Sequence, residues 1–123
     1  MPSADQIRTA VELYVKFVGA GATEDIVNLY AEDATVEDPI GTEPRHGHQA
    51  IREFYQILEP LEKETELLTT RIGGNVAAFW FRLSTKAGEQ TMNLAPIDIM
   101  EFNEDGKITS MKAVWSAEDM ELV

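Results

Sequence analysis

Two aspartates and three tyrosines carry the chemistry that this sequence offers. Asp98 stands in a stretch where Met92, Leu94, Asp98, Met100 and Phe102 share one parity of an extended chain, and Asn93, Ala95, Ile97, Ile99 and Glu101 share the other. Both faces are largely apolar, so a strand here is expected to be covered on both sides, one by the core and the other by a helix or a second subunit. An aspartate in that setting loses hydration, which disfavours its charged form, raises its pKa and leaves an acid that can donate a hydrogen bond near neutral pH. Asp38 ends the alternating run Ala34-Thr35-Val36-Glu37-Asp38 before Pro39, and it points inward if Ala34 and Val36 face the core. Tyr14, Tyr30 and Tyr55 fall on the apolar stripes of three expected helices. Two inward carboxyls from different strands, with inward phenols, would place a proton-abstracting base beside donors for the charge that forms. Plainer readings stand beside these: Asp98 as an exposed or backbone-satisfied carboxylate, Asp38 as a turn residue before proline, the tyrosines as core packing.

The elements that must position these groups follow from spacing. Ser3 with Gln6 has the form of a capping box, and Ile7, Val11, Tyr14 and Val18 recur at helical spacing, which predicts a helix over 4–18. Thr23, as an N-cap before Glu24 and Asp25, starts a short second helix whose stripe is Ile26, Leu29 and Tyr30. A short strand over 34–38 and a loop from Ile40 to His46 precede a third helix over 49–59, with Ile51, Phe54, Tyr55 and Leu58 on one side and Pro60 as its stop. The period then changes to two. Strands are predicted over 66–72, 76–85, 90–102 and 108–115, joined by turns at Gly73-Gly74-Asn75, Ala87-Gly88 and Asn103-Glu104-Asp105-Gly106. The order segregates three helices to one side of a curved, mainly antiparallel sheet, an α+β fold, and helices over the concave face of such a sheet can form a cone with an apolar pocket in its mouth. Residues 1–123 are expected to be one such domain.

Composition narrows the function. The chain has 123 residues, 22 acidic against 10 basic, a net charge of -12 and no cysteine. It is long enough to bury an ordinary core without staples. The absent cysteines remove disulfides, thiolate metal sites, iron-sulfur clusters and thiol nucleophiles, so redox and zinc chemistry are not expected. His46 and His48 flank Gly47 with no third ligand nearby, and no metal is expected either. The acidic balance argues against nucleic acid and against an anionic membrane surface. The first residues carry no targeting pattern and no apolar run is long enough to span a bilayer, so the expected location is the cytoplasm. The acidic runs at 59–66 and 118–121 read as solvated edges or a tail.

The run Ala34-Thr35-Val36-Glu37-Asp38-Pro39, with Gly41, Glu43-Pro44-Arg45, Gly47 and Ala50-Ile51-Arg52-Glu53-Phe54-Tyr55, closely resembles the bacterial steroid delta-isomerases, or ketosteroid isomerases. Tyr14, Ala95-Pro96-Ile97-Asp98, Gly106-Lys107-Ile108 and Ser110-Met111 extend the similarity over nearly the whole chain. The resemblance implies the cone shared with nuclear transport factor and scytalone dehydratase, usually a homodimer, acting on a 3-oxosteroid. It implies conversion of 3-oxo-Δ5-steroids to the Δ4 form, with Asp38 as the general base moving a proton from carbon 4 to carbon 6 and Tyr14 and Asp98 as the oxyanion hole that stabilises the dienolate. That pairing of a tyrosine with a protonated aspartate is carried over from the family. On the same ground Tyr30 and Tyr55 would support Tyr14 through hydrogen bonds, and Phe54, Phe81, Met111 and Trp115 would surround the steroid rings. Trp80 and Met92 are less familiar choices near the pocket, and Pro96 interrupts its strand and implies a bulge near Asp98.

Other readings remain open at this stage. A polyketide cyclase or dehydratase would use the same cone on another hydrophobic substrate. Dehydratases of the scytalone type rely on inward histidines, whereas His46 and His48 are expected in a loop. Epoxide hydrolases of a related cone need an aspartate-arginine-aspartate set, and Arg71 and Arg82 have no aspartate close in sequence. A non-catalytic dimer that binds hydrophobic ligands is the reading from another class, since the fold alone does not decide function.

Overall fold

A computed structural model describes Met1–Val123. Helix α1 (Ala4–Ala20) begins where expected: Ser3 accepts from the Gln6 backbone while the Gln6 side chain accepts from Ser3, and it runs two residues past the predicted end. It stops because Gly21 adopts a left-handed φ of 66°, which lets its N–H bond back to Val18. Helix α2 (Thr23–Val27) is shorter than its stripe implied. Thr23 is its first helical residue instead of its cap, with a buried hydroxyl that has no partner. Tyr30 is not on that helix at all. It opens strand β1 (Tyr30–Glu37), because a later strand beginning at Ile108 pairs alongside it from Tyr30 to Glu37 and draws Tyr30 into the sheet.

Strand β2 (Arg45–His46) pairs back onto β1, so His46 lies on a two-residue strand and not in a loop. Helix α3 (His48–Gln56) buries Ile51 and Tyr55 and ends before Pro60, through a run of turns. Strands β3 (Glu62–Gly73) and β4 (Val76–Ala87) form a long antiparallel hairpin, four residues longer at its start than predicted. The single strand expected over 90–102 is two, β5 (Gln90–Leu94) and β6 (Ile97–Phe102), split at Ala95-Pro96, where proline has no N–H to give to the ladder. Strand β7 (Ile108–Val114) and, after a 3-10 turn at Ala117–Asp119, a two-residue β8 (Glu121–Leu122) complete the chain. The C-terminal segment read as a solvated tail is therefore tied to β5 by backbone bonds between Thr91 and Val123 in both directions.

The sheet runs β2-β1-β7-β6-β4-β5-β8, with β3 on the other side of β4; β1 and β7 are parallel and the other pairs antiparallel. The three helices and this curved sheet make the cone that the segregated elements imply. α1 packs on β3 and β4, and Thr65 on β3 fixes the approach by donating to the Val15 carbonyl at 2.8 Å. Gly19 makes that contact possible, since a Cβ there would meet the Thr65 hydroxyl at 2.5 Å. One buried cluster fills the space between, including Val11, Ile26, Val36, Ile51, Phe79, Met100 and Met111. The double coverage expected of the strand bearing Asp98 is found on one face only within the chain. Asp98, Met100 and Phe102 are buried, whereas Ile97 and Ile99 are open on the outer face beside Trp80 and Val114.

Candidate active site

The concave face encloses an apolar cavity of about 220 Å³, lined by Tyr14, Asp38, Tyr55, Asp98 and twelve further residues, almost all apolar. Each functional side chain arrives from a different element. Tyr14 descends from the middle of α1, Tyr55 from the last turn of α3, Asp98 rises from the second residue of β6, and Asp38 follows the last residue of β1. The alternation of β1 buries Ala34 and Val36 and brings Asp38, two positions on, to the same side.

The phenols form a chain. Tyr30 and Tyr14 each lie within hydrogen-bond distance of the Tyr55 hydroxyl, at 2.8 and 2.9 Å. Tyr14 also packs edge-on against Tyr55, Phe79 and Phe81, which holds the ring in place. Burial pushes all three phenols well above their ordinary pKa, so each keeps its proton. Three protons serve two bonds. With Tyr30 donating to Tyr55 and Tyr55 to Tyr14, the Tyr14 proton is left to point into the cavity that Tyr14 lines, while Tyr30 lies behind the wall.

The aspartates differ in their surroundings. Asp98 is 1% exposed, and its Oδ1 has no hydrogen-bond partner in the protein. Burial first, and the Asp38 charge second, push its pKa well above the carboxylate range. Asp38 is half-buried, and its Oδ1 accepts from the Trp115 indole N–H at 2.7 Å. Burial raises its pKa too, opposed by the Trp115 bond and by the Arg45 charge. Arg45 itself lies over the Phe54 ring, 4.2 Å from its centroid. One apolar cavity thus brings together a carboxyl whose burial favours its neutral form, a buried phenol, and a second carboxyl whose charged form is favoured by an indole donor and a nearby cation.

Of the residues expected around a ligand, Phe54, Phe81 and Trp115 line the cavity, but Met111 does not: it is wholly buried in the core, because β7 pairs with β6 and with β1 on either side at this point. Met92 lines the cavity, whereas Trp80 faces outward and donates to the Ala95 carbonyl. Sequence reasoning missed the bond from Trp115 to Asp38. The available signal was general: an indole N–H taken out of water needs an acceptor, and Trp115 shares a parity with buried Met111 and Ala113. Also missed were Leu83, Thr85, Leu94 and Met120 in the wall. His46 and His48 stay outside the cavity, with His48 Nε2 2.8 Å from the Tyr30 carbonyl, and no cluster of three or more His, Asp or Glu side chains fit to hold a metal is present. Arg71 is exposed, Arg82 pairs with Glu66 on the surface, and no arginine lines the cavity. No helix is long and apolar enough to cross a membrane.

Comparison with known proteins agrees with this fold. The SnoaL-like domain family matches residues 11–111. A curated relative, the steroid Delta-isomerase of Nocardioides simplex, is 45% identical over 115 residues, 94% of each chain. Among solved structures, SalBIII, an epoxide hydrolase/cyclase-like enzyme of pyran ring formation in polyether salinomycin, superposes over the whole of both chains with a TM-score of 0.92 at 25% identity.

Proposed function

Because the chain belongs to the steroid Delta-isomerase family, carrying its SnoaL-like domain, we propose that it converts 3-oxo-Δ5-steroids to their conjugated Δ4 isomers. The observation that carries this reading is that the Tyr14 phenol and the unpartnered carboxyl of Asp98 share one apolar cavity with the carboxyl of Asp38.

The chemistry follows from the charges. The steroid ketone enters with its oxygen toward Tyr14 and Asp98. Asp38 takes a proton from carbon 4, the electrons move onto the ketone oxygen as a dienolate, and the same carboxyl returns the proton to carbon 6. The ground-state ketone is neutral and the dienolate is not, so two fixed donors in a dry site bind the reacting state more strongly than the substrate. Tyr55 and Tyr30 hold the Tyr14 phenol and polarise its proton. Asp38 must be charged to act as base, and the Trp115 bond and Arg45 oppose the rise that burial imposes on it. Phe54, Phe81 and Trp115, with Leu83 and Leu94, present apolar surface to the rings. No step requires a cofactor.

The cyclase-like neighbour keeps a second reading in view, a ring-forming enzyme on another hydrophobic substrate. Absence of arginine and histidine from the cavity wall favours the isomerase. The open apolar strip of Trp80, Ile97, Ile99 and Val114 supports a homodimer built on the outer face, and sedimentation of Ile99→Glu as a monomer would test it. The function is tested by adding 5-androstene-3,17-dione to the protein and to Asp38→Asn. Growth of the conjugated-enone absorbance that the variant loses is expected; no growth above buffer from folded protein would sink the isomerase reading.

A further inference from the structure

The far wall of the cavity holds a second polar group for which the isomerisation itself has no use. On β4, Phe79, Phe81, Leu83 and Thr85 share one parity, and across the ladder they face Asp98, Pro96, Leu94 and Met92. These two rows form a floor that starts at Asp98, beneath Tyr14, and ends at Thr85. Every step along it is apolar until the last. Thr85 is 1% exposed, lines the cavity, and its hydroxyl has no hydrogen-bond partner. Valine has the same shape and fits a strand equally well. A buried hydroxyl with nothing to bond destabilises the free protein relative to that valine, so its place in the wall is explained by a ligand atom that satisfies it. The other orphan hydroxyl, on Thr23, does not line this cavity and carries no such implication.

We infer that Thr85 is a specificity-determining residue that hydrogen-bonds an oxygen on the end of the steroid remote from its 3-ketone, and so selects substrates oxygenated there. The inference rests on the isomerase reading for which end of the ligand sits at Asp98. Thr85 lies six residues along β4 from Phe79, the partner of Asp98, a path of roughly 20 Å in an extended strand that the concave curvature shortens across the cavity. A ligand anchored by its ketone at Asp98 meets Thr85 only with the far end of a long, rigid, fused-ring body or a substituent on it. A rotation about χ1 exchanges the Thr85 methyl and hydroxyl, so either can be turned to the ligand without moving the backbone.

Contact so far from the reacting carbons is the same in ground and transition states, so it acts on KM more than on kcat. The test compares 5-androstene-3,17-dione with 5-androsten-3-one, which lacks the remote oxygen, on the wild type, Thr85→Val and Thr85→Ser. The wild type is expected to favour the dione in KM; Thr85→Val should lose that preference by on the order of 2- to 10-fold, with a smaller change in kcat, and Thr85→Ser should restore it. Ligand-free Thr85→Val should melt at or above the wild-type temperature. An unchanged preference, equal changes for both steroids, or a melting temperature well below wild type would each overturn the role. If the wild type turns over neither steroid, the isomerase reading fails by itself, and quenching of tryptophan fluorescence by the same pair then decides Thr85: a several-fold preference lost in Thr85→Val supports it, equal affinities overturn it.

Discussion

The two aspartates line one cavity, and the contrast between them shows how differently one residue type can be set by its surroundings. Both are raised by burial. Asp98 comes from the buried face of β6 beside its ladder partner Phe79, meets no donor or cation, and also feels the Asp38 charge, so every influence favours its proton. Asp38 comes one residue past the end of β1, where the chain leaves the sheet, and this looser position admits the Trp115 indole and the Arg45 charge. Burial alone would have made two acids. A donor and a cation at one site separate the pair, and that separation is what the proposed division between proton transfer and charge stabilisation requires.

If the division of labour is right, removing the base gives the largest loss. Asp38→Asn keeps shape and hydrogen bonding to Trp115 but cannot take a proton, and turnover should fall by at least about 10²- to 10⁴-fold with the fold intact. Full activity in the variant would assign the base elsewhere. Tyr14→Phe removes one of the two proposed donors to the developing charge, and kcat should fall about 10²- to 10³-fold with KM little changed. A KM effect without a kcat effect would make Tyr14 a substrate anchor only.

Asp98→Asn sharpens the contrast through stability. A carboxyl with a raised folded-state pKa contributes stability that is fully present below about pH 4, its unfolded value, and is lost as pH rises through the folded value. Wild-type unfolding free energy should therefore fall with pH across that window, by up to about 1.4 kcal/mol per unit per proton, and the slope should flatten in Asp98→Asn, which has nothing to deprotonate. Denaturant midpoints at a series of pH values measure it. A slope unchanged by the substitution would mean Asp98 ionises normally.

The contrast was only partly legible in the sequence. The parity of Met92 to Phe102 puts Asp98 on the buried face because strand alternation is a local rule, and the capping box at Ser3 is legible for the same reason. Tyr30 was misassigned to a helix because its place depends on β7 arriving alongside from 78 residues further on, as the Tyr30–Ile108 pairing records. The split at Pro96 and the C-terminal β8 likewise depend on which neighbour a backbone N–H finds. Trp115 and Asp38 are far apart in sequence, and their bond has no spacing signature. Local periodicity thus finds the groups, and only the assembled sheet decides which of them touch.

That long-range contact gives the next prediction. Trp115→Phe removes the bond that favours the Asp38 carboxylate while keeping an apolar ring, so the Asp38 pKa should rise further. One hydrogen bond to a charged group amounts to roughly 1.5–3 kcal/mol, so the acid limb of kcat/KM should move up by about one pH unit or more. A limb that stays put would show that Arg45 and the rest of the site, not Trp115, hold the base ready.

The smallest effect is expected at Tyr55, which borders the cavity but acts through Tyr14, joining it to Tyr30. In Tyr55→Phe the edge-to-face ring contact with Tyr14 survives while both hydroxyl bonds vanish. Tyr14 keeps its own proton, so the oxyanion site retains both donors, and only orientation and polarisation are lost. A drop in kcat of about tenfold or less fits one or two ordinary hydrogen bonds. Stability should fall more visibly, since the Tyr30 hydroxyl is left buried without a partner, at a cost of about 1–3 kcal/mol. Restored activity in Tyr30→Phe/Tyr55→Phe would show that the orphan at Tyr30, and not the missing polarisation of Tyr14, causes the loss. An activity loss as deep as that of Tyr14→Phe would instead make the three phenols a single donor whose proton is set by the whole chain, and the acid wall would then extend from Asp98 through Tyr14 and Tyr55 to the start of β1.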